Sequence, residues 1–212
     1  MSEAPRLLVV WHSTSGGTRE LVEAAVEGAT DPMIAETLGS VVDVRVMGAF
    51  DAGVEDVLAA DGYLLATPEY FGYMSGAMKD FFDRTYYPCL EHTRGRPYGL
   101  LVKAGGDGSG AVGAVVPLAT GLEWRQVLEP LVVPGDVSNE HLDAARELGG
   151  SLAAVPPVTS GEGLTRTVPA GRQPYAGPAG SNGLPTVQAT GRSPTMLALS
   201  ITRTSGQESL LA

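Results

Sequence analysis

Across residues 1–155, apolar runs of strand length alternate with segments carrying apolar residues at helical spacing, and few architectures accept that pattern. The runs are Leu7 to Trp11, Val41 to Val46, Tyr63 to Ala66, Tyr98 to Val102 and Leu131 to Val133. Between them, Leu21, Val22, Ala25, Val26 and Ala29 mark one helix face, and Ala77, Met78, Phe81, Phe82, Thr85 and Tyr86 repeat the spacing. A further helix is predicted from Asn139 to Ala154, with Leu142, Ala145, Leu148 and Leu152 on one side. A weaker one is predicted from Ser109 to Thr120, where Gly113 and Pro117 oppose helix formation. Strands that are apolar on both faces and separated by helices belong in a parallel sheet covered on each side. Right-handed crossovers then give a small doubly wound α/β domain. In such domains ligands bind beyond the carboxyl ends of the strands, so the loops after the first, third and fourth strands are where function is sought.

Composition removes several alternatives. The formal charge of −10 repels a phosphate backbone and an anionic leaflet, and no basic run offsets it, so neither nucleic acid nor a membrane is an expected partner. Cys89 is the one cysteine, which rules out an internal disulfide, and His12, His92 and His141 lack the spacing of a zinc site; no metal is expected. The apolar run starting at Leu7 is too short for a signal-peptide core or a membrane span, and a cytoplasmic location is expected. The chain divides near Val155. Residues 156–212 contain 8 Gly and 7 Pro, hardly any large apolar residue before Met196, and neither amphipathic period. They are predicted to be a mostly disordered tail; their low charge leaves a loosely docked arm or an altered reading frame open.

The first strand runs into His12-Ser13-Thr14-Ser15-Gly16-Gly17-Thr18, and a helix begins at once. Four hydroxyls, two glycines and the unpaired N–H groups of a helix start make this loop a phosphate cradle in composition. The same residues would also serve as an N-cap with a flexible connector. It lacks the Gly-Lys-Ser/Thr ending of a nucleotide-triphosphate loop, so a phosphate monoester fits better. The third strand leads into Thr67-Pro68-Glu69-Tyr70-Phe71-Gly72-Tyr73-Met74-Ser75. Three rings in four residues either stack on a planar heterocycle or plug the end of the sheet. After the fourth strand, Lys103-Ala104-Gly105-Gly106-Asp107-Gly108-Ser109-Gly110 is nearly free of Cβ atoms, which suits the approach of a flat ring and equally describes a floppy loop.

Residues Val9 to Thr18 resemble the signature of flavodoxin-like flavoproteins, with Trp11 in place of the usual Tyr or Phe and Val22 in place of the usual Ala. Thr67-Pro68-Glu69-Tyr70-Phe71-Gly72, followed by Met74-Ser75-Gly76-Ala77-Met78-Lys79-Asp80-Phe81-Phe82-Asp83, is similar to the second flavin loop of NAD(P)H-dependent FMN reductases and quinone-reducing flavodoxin relatives. The resemblance covers about residues 6–155. It implies a five-stranded parallel sheet of order 2-1-3-4-5 whose last strand no insertion splits, and FMN as cofactor with NADH or NADPH as co-substrate. Contacts to the FMN phosphate are implied for Ser13, Thr14, Ser15, Gly16, Gly17 and Thr18. The isoalloxazine would lie along the backbone of Pro68, Glu69, Tyr70 and Phe71, with Tyr73 nearby, and its pyrimidine edge would meet Gly105, Gly106 and Asp107. The implied activity is electron transfer through the flavin to a quinone, free flavin or similar small acceptor, with no catalytic side chain. A flavodoxin-type carrier serving protein redox partners is the alternative, and an apo scaffold used as a binding module is a third reading. Relatives often dimerise, and the resemblance leaves a homodimer or higher homo-oligomer open for this chain.

Three patterns compete and fail. Gly108, Gly110 and Gly113 satisfy G-x-G-x-x-G, but the strand ends several residues earlier, and the acid about 20 residues on would be Glu129 beside Pro130. Ser109 has Asp107 rather than Gly two residues before it, against a nucleophile elbow. Cys89 and His92 sit among aromatic and proline residues, which favours packing over a thiol–base pair, and Asp136 reads as solvated surface.

Overall fold

The computed structural model describes residues 4–39 and 41–156. Its elements follow the order β1 (Arg6–Trp11), α1 (Gly17–Ala29), α2 (Pro32–Leu38), β2 (Asp43–Gly48), α3 (Val54–Ala59), β3 (Gly62–Tyr70), β4 (Tyr73–Met74), α4 (Gly76–Cys89), β5 (Pro97–Ala104), α5 (Ser109–Gly121), β6 (Arg125–Gln126), β7 (Leu131–Pro134) and α6 (Asn139–Ala153). The sheet runs β2-β1-β3-β5-β6, with β7 also pairing β5 and β4 pairing β3. All pairings are parallel except β3 with β4. The five sheet positions therefore keep the flavodoxin-like 2-1-3-4-5 order.

Alternation along each central strand sends residues into two cores. Leu8, Val10, Tyr63, Leu65, Tyr98, Leu100 and Val102 pack on one face with Val57 of α3, Phe81 of α4 and Val115 of α5. Leu7, Val9, Leu64, Ala66 and Leu101 face the other way, onto Leu21 and Ala25 of α1 and Leu148 of α6. This is why the runs are apolar at every position rather than every second one. On the second face the two helices approach closely. A Cβ on Gly149 would stand 1.8 Å from the Ala25 carbonyl oxygen, and one on Gly28 would stand 2.0 Å from that of Arg146.

The structure departs from the sequence expectations in several places. The third strand does not stop at Ala66: it continues through Thr67, Pro68, Glu69 and Tyr70, so Pro68, Glu69 and Tyr70 are strand residues. Thr67 and Pro68 pair with Val102 and Lys103 of β5, and Glu69 and Tyr70 with Met74 and Tyr73 of β4, which gives the backbone of this segment partners after the apolar run ends. The last sheet position is split after all, into β6 and β7. The intervening residues 127–130 include Pro130, which cannot donate to a ladder. The second strand begins at Asp43 rather than Val41, whose side chain is exposed. Helices α2 and α3 were not expected. The weakest predicted helix does form: α5 carries Gly113 and Pro117 yet buries Ala111, Val115 and Ala119, spaced four residues apart on one stripe, and tertiary burial outweighs propensity. The expectation for residues 157–212 lies outside the described residues.

Candidate functional site

Parallel strands β1, β3 and β5 are neighbours, so the segments at their carboxyl ends lie side by side along one rim of the sheet. Each of the three predicted groups lies on this rim.

At the end of β1, the His12 amide donates to the Ala66 carbonyl at 3.1 Å, which holds the loop to β3. The loop then closes on itself, as the Gly16 N–H donates to Ser13 Oγ at 3.1 Å. Gly16 is the N-cap of α1 at φ 99°, a conformation that favours glycine, and no side chain caps the helix. The first amides of α1, at Gly17, Thr18 and Arg19, thus point out of the helix with the positive end of its dipole behind them. Thr14, Ser15 and Gly16 are exposed, Ser13 and Gly17 half-buried and Thr18 buried. On the outer side, the loop after β2 closes in: the Ala49 N–H donates to the Trp11 carbonyl at 2.8 Å, and the exposed Phe50 ring meets His12 edge-on at 5.9 Å. His12 Nε2 lies 3.4 Å from Thr14 Oγ1. Phe50 and His12 were not among the predicted site residues. Phe50 follows a strand on the other side of β1, and no local pattern brings it to the loop after β1.

At the end of β3, Tyr70 and Tyr73 pair across the two-residue turn Phe71-Gly72. Phe71 at φ 53° and Gly72 at φ 71° both have positive φ, as in the tight hairpin turn that matches strand twist. Phe71 accepts an unfavourable conformation for a large side chain, and its ring stands fully exposed at the tip. The hairpin is anchored twice. The buried Thr67 hydroxyl bridges to the Ser75 hydroxyl at 3.2 Å and accepts the Ser75 N–H at 3.0 Å, while Ser75 Oγ caps α4 by accepting the Met78 N–H. Glu69 Oε1 accepts the N–H groups of Gly110 at 3.0 Å and Ala111 at 3.2 Å. A Cβ on Gly110 would lie 2.0 Å from the Gly72 carbonyl oxygen, so the hairpin tip rests directly on the start of α5. The Glu69 carboxylate is thus tied through Oε1 to the start of α5.

At the end of β5, Gly105, Gly106 and Asp107 are exposed, and a Cβ on either glycine would meet nothing within 4 Å. They form an open ledge between the hairpin and β7. Asp107 Oδ1 accepts the Ser109 N–H at 3.0 Å and the Ser109 hydroxyl at 2.8 Å, and these bonds hold its carboxyl below the usual carboxylate range. Its side chain is thereby turned to the α5 start.

The rim thus combines a helix start rich in neutral donors, an open backbone ledge and an exposed ring, a donor set suited to a phosphorylated, flat molecule. The buried titratable groups with shifted pKa lie away from this rim. Cys89 is fully buried, and its thiol is pushed up to about 12 by burial. Burial also raises Tyr63, whose hydroxyl donates to the Val57 carbonyl and accepts from Arg96 Nη1. Among the described residues, no group of three or more His, Cys, Asp or Glu could hold a metal ion, and no helix is long and apolar enough to cross a membrane.

The chain is similar to several known proteins. The family described as NADPH-dependent FMN reductase matches residues 12–138. An NAD(P)H dehydrogenase (quinone) from Acidithiobacillus ferrooxidans is 36% identical over 93 residues, covering 38% of this chain and 46% of that protein. The chain thus spans about half the length of that relative. A flavodoxin from Aquifex aeolicus is 30% identical over 164 residues, 70% of this chain and 85% of that one. Among solved structures, a WrbA-like flavodoxin from Agrobacterium tumefaciens superposes with a TM-score of 0.58 at 22% identity, covering 71% of this chain and 96% of that chain, a likeness of fold.

Proposed function

The chain belongs to the flavodoxin-like family of NADPH-dependent FMN reductases, and from that premise we propose that it is an FMN-carrying NAD(P)H oxidoreductase that delivers electrons to a quinone or a similar flat electrophile. Bound FMN would supply hydride- and electron-transfer chemistry that no side chain of the chain offers. The protein's work is to hold, orient and shield. In this reading Ser13, Thr14, Ser15, Gly16, Gly17 and Thr18 grip the phosphate through hydroxyls and the amides of the α1 start. The backbone of Pro68, Glu69, Tyr70 and Phe71 would line the ring, and Gly105, Gly106 and Asp107 would offer backbone N–H groups to its pyrimidine edge.

The observation that carries the proposal is the rigid hairpin. Glu69 and Gly110 lock it to α5, and it presents Phe71 as an exposed ring beside the open glycine ledge. A flat acceptor can stack there, as aromatic pairs prefer. The quinone relative points to the same acceptor class. A second reading, a carrier exchanging electrons with protein partners, is favoured by the flavodoxin relative, 85% of which is covered, and by the acidic chain, which suits docking to basic partners.

The test is anaerobic spectroscopy of the protein after FMN loading and desalting. Prompt bleaching of the flavin band by NADPH or NADH, with recovery on adding a quinone, is the expected result. Retained flavin inert to both nicotinamides would replace the proposal with the carrier reading, and failure to retain flavin would remove both.

A further inference from the structure

Building on the FMN reading above, we propose that Lys103 is the cation of the phosphate loop: its ammonium supplies the positive charge that makes the α1 start discriminate a phosphorylated flavin from one without phosphate.

Lys103 stands at the end of β5, two strands away from the loop after β1, yet its side chain reaches that loop. A Cβ on Gly17, the first residue of α1, would lie 3.1 Å from Lys103 Cε, 3.5 Å from Cγ and 3.6 Å from Cδ. The aliphatic stem thus runs across the first turn of α1, and a side chain at position 17 would press on it. The ammonium is one bond beyond Cε. It donates to the Ala104 carbonyl at 3.3 Å and to the Gly135 carbonyl, so it is tethered at the rim by neutral acceptors.

Electrostatics make this placement informative. The start of a helix carries partial positive charge, which repels a cation and attracts an anion. The Lys103 stem nevertheless packs on it, with the ammonium one bond beyond, and among the described residues no carboxylate pairs with Lys103. The nearby cation on α1, Arg19, is already engaged with Glu23 at 2.8 Å. The chain as a whole, at a formal charge of −10, repels a phosphate dianion. A lysine with a flexible stem and three donors beside the helix start answers that repulsion, and a phosphate at the Gly17 and Thr18 amides answers the lysine.

The experiment measures dissociation constants of FMN and of riboflavin, by quenching of flavin fluorescence, for the wild type, Lys103→Met and Lys103→Arg. Both ligands share the ring system and differ in the phosphate. Lys103→Met is expected to weaken FMN about tenfold, leave riboflavin unchanged and flatten the salt dependence of FMN binding, and Lys103→Arg to restore most of the loss. Equal weakening of both flavins would show that Lys103 only ties the β5 and β7 ends together, and unchanged FMN binding would show no role; either overturns the inference. A wild type that binds neither flavin would instead overturn the FMN reading itself.

Discussion

Replacing Glu69 by Ala tests whether the hairpin beside the glycine ledge is held by the bonds described. The Glu69 carboxylate accepts two backbone N–H groups at the start of α5, from Gly110 at 3.0 Å and Ala111 at 3.2 Å. A hydrogen bond to a charged group is worth about 1.5–3 kcal/mol, and an anion at a helix start adds about 0.3–1 kcal/mol. Both bonds share one oxygen of a half-buried side chain, which places their sum at the low end, about 2–3 kcal/mol. For a domain of this size each kcal/mol moves the melting temperature by about 2–4 °C, so Glu69→Ala should melt about 5–10 °C lower than the wild type. Glu69→Gln keeps an acceptor but loses the charge, and should melt between the two. Thermal unfolding followed by far-ultraviolet circular dichroism, without flavin, reads the effect. FMN titration of the same variants should show weaker binding, because the Tyr70–Tyr73 hairpin loses a tether to α5. If Glu69→Ala melts with the wild type, the carboxylate is not bonded to α5 and the anchoring argument fails.

Gly149→Ala should destabilise by about 2–3 kcal/mol in urea unfolding, since its Cβ would sit 1.8 Å from the Ala25 carbonyl oxygen and overpacking outweighs the helix-propensity gain; a more stable variant would show that α1 and α6 are not in such close contact. Burial raises the Cys89 thiol from 9.0 to about 12, so the folded state holds this proton more tightly than the unfolded chain. The resulting stability is fully present below pH 9 and is lost as pH rises toward 12, and Cys89→Ala should lessen that alkaline loss in urea titrations across the window. At pH 8 the wild-type thiol should resist iodoacetamide until urea unfolds the chain, and prompt labelling of folded protein would contradict its burial. Phe71→Gly should gain about 0.5–1 kcal/mol, from relief of left-handed strain less the unfolded-state freedom of glycine. It should also slow NADPH-dependent quinone reduction, and a variant with unchanged rate would remove Phe71 from the acceptor side.

What the sequence made legible is what depends on one element's own pattern. Helices α1, α4 and α6 each bury one broad face, and β1 and β5 each hold an unbroken apolar run, Leu7 to Trp11 and Tyr98 to Val102, so period and length suffice. The missed elements lack such a pattern. No residue of α2 is buried, and of the six residues of α3 only Val57 is, so neither helix writes a stripe into the sequence. The strand residues Thr67 to Tyr70 were invisible for a related reason: a proline and a glutamate after an apolar run resemble a turn, and only β5 and β4 on either side make them strand.

The site divides along the same line. The loop proposed to hold phosphate stands out in the sequence because a strand, two glycines and a helix start follow one another in nine or so residues, and anion binding at a helix start needs little else. The ring-bearing loop could be located because aromatic density in a polar segment asks for a partner. The contacts that fix these loops are long-range. Glu69 lies 41 residues from Gly110, and Lys103 packs on a glycine at the far side of two strands. A glutamate and a lysine in loop sequence carry no mark of such partners, since charged residues at loops are ordinarily solvated. The glycines at 17 and 110 hold a local trace, for each is a position where a side chain would press against a distant segment. Read alone, they pass as flexibility. Read with the topology, they mark where the rim of the sheet is drawn together, and at Gly17 the segment drawn in is the stem of a lysine.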